Sequence, residues 1–339
     1  MVTIKDIGRA IGVSHATVSR ALNGSPLVKP DTRALVLETA RSMGYRPDSA
    51  ARMLRGSTAN IIGFVLPDIT NAFYSRIASV VGRYSSDHGL QLVLATTDDD
   101  PMREEHHIIE LQHARARAII VTPTEGMTPT SIAALNEMQT LQLVRRHPGL
   151  DADLIAADDR QGVATATRHL LDNGHRRIAY IGGGGETLST GQERLDGYLT
   201  TMAQAGLSDH VRFELGPPQP EFGRAAMLRL LQDAPPPQAV VLGSSQLTIG
   251  FLEAVVASGL SIPAQLSFTG YDDPGWFAFW GPGITSVQLP IDKIARTIAA
   301  IAAGRTIDTP DAQITTGDTG VQTIRFPCTL ARRGTVARA

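Results

Sequence analysis

From Thr3 to Asn23 the chain sets short apolar stripes against polar faces at helical spacing. Ile4, Ile7, Ala10 and Ile11 form one stripe and leave Lys5, Asp6 and Arg9 outside it, so the pattern predicts a short helix that Gly12 ends. Ser14 stands where an N-cap hydroxyl is wanted, and Val18 with Leu22 supply the buried face of a second helix. A turn-rich GSPLVKP segment leads to a third helix in DTRALVLETARSMGY, entered through Pro30 and Asp31. Its expected core face is Leu35, Thr39 and Met43, flanked by Val36 and Ala40, and Gly44 closes it.

From Ile61 the period changes. Short, nearly continuous apolar runs (IIGFVL at 61–66, LQLVLA at 90–95, AIIVT at 118–122, LQLV at 141–144) alternate with amphipathic stretches near 73–88, 102–114 and 128–138. That is the pattern of buried parallel strands joined by crossover helices. A second series runs through IAA near 155, IAYIG at 178–182, AVVLG at 239–243 and LSFTGYDD at 266–273, with helices expected near 160–173, 191–205, 221–233 and 246–258. A helix at 290–303 and the last strands then return to the first half and afterwards to the second. The expected organisation is an all-α head (1–46), a linker (47–59) and two doubly wound α/β lobes in 60–339, lobe 1 from 60–157 and 288–318, lobe 2 from 158–287 and 319–335.

The second helix carries the first candidate chemistry. His15 and Ser19 lie one turn apart on the face away from Val18 and Leu22, as do Ala16 and Arg20. Two short helices around a glycine turn form a helix-turn-helix, and such a face suits a major groove, where an arginine forks onto guanine and an alanine sits against a thymine methyl. Ordinary solvated residues on a small three-helix domain would give the same spacing, so charge placement matters. Residues 1–58 hold nine of the 31 Lys and Arg against four of the 33 acids, leaving 22 basic and 29 acidic residues for the rest. A basic head on an acidic body favours phosphate contacts at one end only.

With the third helix in place the chain resembles the LacI family of transcriptional repressors. The residues that carry the likeness are TIKDIGRAIGVSHATVSRALN, then TR at 32–33, GYRPDSAARMLRG from Gly44, IIGFVLPDITNAFY from Ile61 and LARRGT near the C-terminus. Lys29 departs from it, standing where the family usually has a serine or similar cap. The resemblance implies a bilobed core like that of the periplasmic binding proteins, a homodimer and a pseudopalindromic double-stranded operator. It assigns DNA contacts to Thr3, Ser14, His15, Ala16, Thr17, Ser19, Arg20 and Asn23. By itself the 47–58 segment reads as a linker with a marginal helix. In the family it is a hinge helix that orders in the minor groove, which implies Leu54 as a wedge in the central base step, Ala51 facing its mate and Arg52 and Arg55 near phosphates.

Ligands of open parallel sheets bind beyond the carboxyl ends of strands. That rule selects Asp68, Asn71, Phe73 and Tyr74 after the first strand, Asp98 after the second, Thr122 after the third, and Arg145 and Arg146 after the fourth. The second lobe offers Thr190 and Arg194, Ser244, and Asp272 with Trp276 and Trp280. Rings with carboxylates, arginines and hydroxyls suit a sugar, whose C–H faces stack while its hydroxyls need paired donors and acceptors. Arg146, Arg194 and Asp272 match positions that meet effector in the family. The loop GSSQ at 243–246 departs from the usual Asn-Asp pair, which admits an acidic effector with Arg145 and Arg146 as countercharge.

Other signals carry less. GGGG at 182–185 lacks the lysine and the spacing of a phosphate loop, and His106, His107 and His113 give no ligand triad, so neither a nucleotide cofactor nor a metal is expected. With no nucleophile elbow and Cys328 alone in a terminal strand, covalent catalysis has no candidate, and a lone cysteine forms no intrachain disulfide. No apolar run approaches a membrane span and no signal-peptide core is evident, so the expected location is the cytoplasm. A nucleotide-dependent enzyme would need an intact glycine fingerprint and an acid–base pair. A transport-type solute-binding protein would need an export signal and no basic head. The sequence therefore reads as an effector-controlled, DNA-binding regulator.

Overall fold

The computed structural model describes residues 2–22, 25–45, 59–184 and 189–339. The chain divides into two units, Met1–Thr58 and Ala59–Ala339.

The first unit has three helices, α1 (Ile4–Ile11), α2 (His15–Leu22) and α3 (Pro30–Ser42). Thr3 and Asp6 cap α1 reciprocally: Thr3 Oγ1 accepts from the Asp6 amide, and the Thr3 amide donates to the Asp6 carboxylate at 2.9 Å. Gly12, at φ 69°, ends the helix in the left-handed conformation that a glycine adopts without strain. Ser14 Oγ accepts from the Thr17 amide at 3.1 Å and starts α2. The core is Ile7, Val18, Ala21, Val28, Val36 and Ala40. Two sequence expectations are corrected here. Ala10 is exposed, and Leu35 is 47% exposed, because the inner face of α3 runs through Val36 and Ala40.

The second unit is built on two sheets. Its elements are β1 (Ile61–Leu66), α4 (Ala72–Asp87), β2 (Gln91–Thr96), α5 (Pro101–His113), β3 (Ala118–Val121), α6 (Pro129–Asn136), β4 (Thr140–Leu143), β5 (Asp153–Ala157), α7 (Asp159–Asp172), β6 (Ile178–Gly183) and α8 (Ser189–Gln204). There follow β7 (Arg212–Gly216), α9 (Pro220–Leu230), β8 (Ala239–Leu242), α10 (Ser245–Ala257), β9 (Ser267–Tyr271), β10 (Ser286–Gln288), α11 (Ile291–Ala302), β11 (Gln313–Thr316), β12 (Gln322–Phe326) and β13 (Thr329–Ala331). The first sheet has seven strands in the order β11-β12-β5-β4-β3-β1-β2, and the second has six in the order β13-β10-β9-β8-β6-β7. Only the β11–β12 and β10–β13 pairs are antiparallel among the described residues. Each sheet is covered by helices on both faces, so β1, β3, β4 and β8 are buried nearly throughout.

The sheets revise the second strand series and the last lobe boundary. IAA near 155 belongs to β5, which pairs with β4 in the first sheet and does not open the second series. β12 pairs in parallel with β5, Ile324 opposite Ile155, so the last crossing to lobe 2 comes after Phe326 and not at 318/319. The strand β7 escaped the sequence reading because Arg212 and Glu214 interrupt its apolar positions at an exposed sheet edge. At the crossings the Asp158 amide donates to the Phe326 carbonyl at 2.8 Å. Gly162 lies so close that a Cβ there would sit 3.0 Å from Val287 and 3.1 Å from the Cys328 sulfur. No described helix is long and apolar enough to cross a membrane.

Candidate functional site

Two surfaces gather the predicted residues, one in each unit. On the head, burying Val18 and Ala21 turns His15, Ala16 and Arg20 outward into solvent, with Thr17 and Ser19 half-buried beside them. Ser14 and Thr17 share a hydroxyl contact of 2.9 Å at the start of α2, and exposed Thr3 caps α1. The first turn of α2 thus presents a ring, a methyl and, one turn on, a guanidinium. Asn23, Ala51, Arg52, Leu54 and Arg55 lie outside the described residues.

In the second unit a cleft of about 560 Å³ opens between the lobes. From lobe 1 it takes Asp68, Asn71, Phe73, Tyr74, Asp98, Asp99, Glu125 and Arg145; from lobe 2 come Thr190, Arg194, Gln219, Ser244, Gln246 and Asp272. The lobe 1 wall follows from how β1, β2 and β4 end. The Asp68 carboxylate accepts from the Thr70 amide and hydroxyl, both at 2.7 Å, and Asn71 caps α4 through the Phe73 amide at 3.0 Å. This aims Phe73 and Tyr74 inward, edge to face at 5.1 Å. Left-handed backbone at Asp98 (φ 52°) and Asp99 (φ 56°) turns both carboxylates out of β2; Asp98 pairs with Arg103 and Asp99 with Arg145. Arg145 also donates to the Pro123 carbonyl at 3.3 Å. Behind that loop the buried Glu104 accepts from the Thr124 amide and hydroxyl at 2.9 and 2.8 Å, and burial pushes its pKa up despite those bonds.

The lobe 2 wall centres on Arg194. Nε donates to Asp159 at 3.0 Å and Nη1 to the Gly243 carbonyl at 2.8 Å, while the guanidinium lies 4.1 Å over the Tyr271 ring. The Tyr271 hydroxyl donates to the same Asp159 oxygen. Burial works against the charge of Arg194, yet Asp159 and the surrounding rings hold its pKa well above the ordinary value. Neither bond uses Nη2. Asp272 accepts from Ser245, amide at 3.1 Å and hydroxyl at 2.9 Å; burial raises its pKa, and Arg194 and Ser245 draw it back. Its neighbour Asp273 goes the other way. Against burial, Arg333, Ser286 and Gln288 donate to its carboxylate at 2.6 to 3.0 Å and lower its pKa, which fastens the 272–273 turn to the last strands. The close approach of Tyr180 explains a glycine, since a Cβ on Gly243 would lie 2.6 Å from its hydroxyl.

The cleft brings together Asp68, Asn71, Phe73, Tyr74, Asp98, Thr190, Arg194, Ser244 and Asp272 of the sequence-assigned set. Four others lie elsewhere. Thr122 is fully buried below the wall, its side chain against that of Tyr74. Arg146 is exposed, because left-handed Val144 (φ 56°) breaks the strand alternation and sends Arg145 inward instead. Trp276 and Trp280 line a separate apolar groove with Ile249, Leu252 and Val256 of α10. Two positive φ values in succession, 78° at Asp272 and 49° at Asp273, carry the chain away from the cleft before either tryptophan. The sequence reading missed Gln219, Gln246 and Glu125, the first of them because it follows the overlooked β7.

Comparison with known proteins identifies the family of both units. Residues 3–48 match the family described as bacterial regulatory proteins, lacI family, and residues 167–336 match the periplasmic binding protein-like domain. The HTH-type transcriptional regulator GalS of Salmonella typhimurium is 32% identical over 314 residues, covering 91% of this chain and 92% of that protein. Among solved structures, the Lac repressor dimer bound to operator and the anti-inducer ONPF superposes with a TM-score of 0.79 over 99% of both chains at 20% identity, a likeness of fold. A transcriptional regulator CelR–cellobiose complex gives a TM-score of 0.68 at 26% identity, covering 99% of this chain and 100% of that one. A helix-turn-helix head, two parallel-sheet lobes and full-length similarity to transcriptional regulators, none of them an enzyme, give one conclusion: the chain belongs to the LacI family of bacterial regulatory proteins.

Proposed function

We propose that this regulator is a homodimeric repressor that reads a pseudopalindromic operator through the outward face of α2 and releases or grips it according to a sugar bound between the lobes. His15, Ala16 and Arg20 are the base readers; Thr3, Ser14, Thr17 and Ser19 position the head, as Asn23 does in the resemblance. Ala51, Arg52, Leu54 and Arg55 keep the minor-groove roles that resemblance implies. Two heads on one dimer explain why a half-site suffices for each. The CelR complex holds cellobiose and the Lac repressor structure is a dimer on operator, which supports both halves of the reading. Its site of action is the cytoplasm, where operator DNA lies.

One observation favours an uncharged sugar over a sugar acid. Both arginines on the cleft wall are already matched, Arg145 by Asp99 and Arg194 by the buried Asp159, while Asp68, Asp98, Glu125 and Asp272 add carboxylates. An acid would bring a further negative charge to a wall whose two arginines, among the described residues, are already paired, whereas sugar hydroxyls use carboxylates as acceptors and Arg194 Nη2 as donor.

Thermal unfolding with neutral sugars, uronates and aldonates tests this. A ligand of the folded state at 100 times its Kd adds about 2.7 kcal/mol of stability. A rise in Tm with a neutral sugar is expected; a larger rise with an acid overturns the preference, and no rise with any of them overturns the sugar reading. On the DNA side, Arg20→Ala should weaken binding to an operator selected from random duplexes by about 5- to 150-fold, as expected of one bidentate base contact worth about 1–3 kcal/mol. It should also relax one base position. Retention of both affinity and selectivity removes Arg20 from the reading face.

A further inference from the structure

The first two turns of α8 carry two pairs of side chains, the members of each pair four residues apart and so on one face. Thr190 and Arg194 form the pair on the cleft wall. Ser189 and Glu193 reach to lobe 1 instead. The Arg146 amide donates to Ser189 Oγ at 2.9 Å. Arg325 of β12 forks onto Glu193, Nη1 to Oε2 and Nη2 to Oε1, both at 2.7 Å. This two-bond geometry fixes angle as well as distance. The side chains are only 26% and 24% exposed, which sets the pair apart from the solvated ion pairs that contribute little. Burial opposes the charge on Arg325, yet Glu193 raises its pKa above the ordinary value.

Position gives the pair its role. The residue after Arg325 is Phe326, whose carbonyl accepts the Asp158 amide where the chain crosses between the sheets. Arg325 is therefore fixed to the lobe 1 sheet at the hinge, and Glu193 to a lobe 2 helix whose next residue is Arg194. A rotation of lobe 2 that keeps the crossings intact must stretch or twist this fork, and a ligand that draws on Thr190 and Arg194 pulls on the same helical turn.

We propose that the Arg325–Glu193 pair is an inter-lobe latch that sets the relative orientation of the two lobes and couples it, through the start of α8, to the occupant of the cleft. The coupling half rests on the cleft being the effector site; the orientation half does not. A ligand shifts lobe orientation only by its differential affinity for the latched and unlatched states, so loosening the latch must change ligand affinity as well.

Spin labels at Met102→Cys and Glu221→Cys, in the first turns of α5 and α9 on opposite lips of the cleft, report the lobe-to-lobe distance in the full chain. Met102 is 63% exposed and Glu221 is also exposed, whereas Cys328 is buried with its thiol pKa pushed up, and so stays unlabelled. Diluted into unlabelled protein so that a dimer carries one labelled copy, the latched chain should give one narrow distance distribution. Glu193→Gln and Arg325→Gln should each broaden or split it, the double variant should be no broader than the broader single one, and Arg325→Lys, which keeps the charge and loses the fork, should fall between. Unchanged distributions in both single variants, or additive broadening in the double variant, overturn the latch. If a glutamine variant fails to fold, Arg325→Lys decides alone, a wild-type distribution counting against the latch. With the neutral sugar that raises Tm as probe, the concentration for half-maximal shift should differ at least fivefold between Arg325→Lys and the latched chain; equal values remove the coupling. Failure of every sugar to raise Tm strikes the effector reading, while the distances still judge the latch.

Discussion

Replacing Arg194 with alanine should lower the unfolding free energy of the core by about 3–5 kcal/mol and abolish the sugar-dependent rise in Tm. The size follows from what remains behind. Asp159 is buried and shares Arg194 as its ion-pair partner, so truncation leaves a buried carboxylate with the Tyr271 hydroxyl and no countercharge. The Gly243 carbonyl loses a donor as well, and Tyr271 loses the cation over its ring. Urea unfolding of the full chain, followed on the core transition, measures the loss. If the stranded charge is its source, Asp159→Asn added to Arg194→Ala should recover part of the lost stability and none of the sugar response. A loss below about 1 kcal/mol, or a sugar response that survives in Arg194→Ala, would falsify the assignment.

Lobe 1 has a parallel arrangement on the opposite wall, which explains why the cleft presents carboxylates to its contents. Arg145 holds Asp99 and the Pro123 carbonyl, and Glu104 holds Thr124 from behind. Each arginine is thus used to brace loops at the ends of strands, and the acids around them face the cleft. Bracing of this kind lets irregular loops present a fixed geometry, which recognition of sugar hydroxyls requires.

Much of this was legible because the signals are local. Buried parallel strands leave continuous apolar runs, and β1, β3, β8 and β9 coincide with IIGFVL, AIIVT, AVVLG and LSFTGYDD to within a residue or two. The cap at Ser14 marks a helix start as its chemistry dictates. The misses came from non-local or backbone causes. An edge strand with one exposed face does not need an unbroken apolar run, so Arg212 and Glu214 concealed β7. One left-handed residue at Val144 exchanged Arg146 for Arg145 at the cleft, and two at 272–273 sent Trp276 and Trp280 to the α10 groove. Aspartate tolerates positive φ more readily than most residues but does not require it, and nothing in a β-branched valine announces it. The Arg325–Glu193 fork joins residues 132 positions apart, and no local pattern announces such a pair.

The second large effect belongs to the head. Ile7→Ala should unfold residues 1–45 and reduce operator affinity at least 100-fold, to the level of unrelated duplex DNA. Ile7 is fully buried against Val18, Val36 and a few smaller side chains, so no second layer can close the void. Truncating a buried isoleucine costs about 2–5 kcal/mol, and a domain of this size buries too little surface to hold that much in reserve. The reading face fails indirectly: His15, Ala16 and Arg20 are aimed outward only while Val18 and Ala21 are held inward. Arg20→Ala removes one contact and keeps the helix, whereas Ile7→Ala removes the helix that aims all three. The second unit has its own core, so the sugar-dependent rise in Tm should be that of the unaltered chain. Gel shifts on selected and scrambled duplexes at fixed salt, with the thermal scan alongside, separate the cases. Operator affinity within tenfold of the unaltered chain would mean that the head is held by more than its own core.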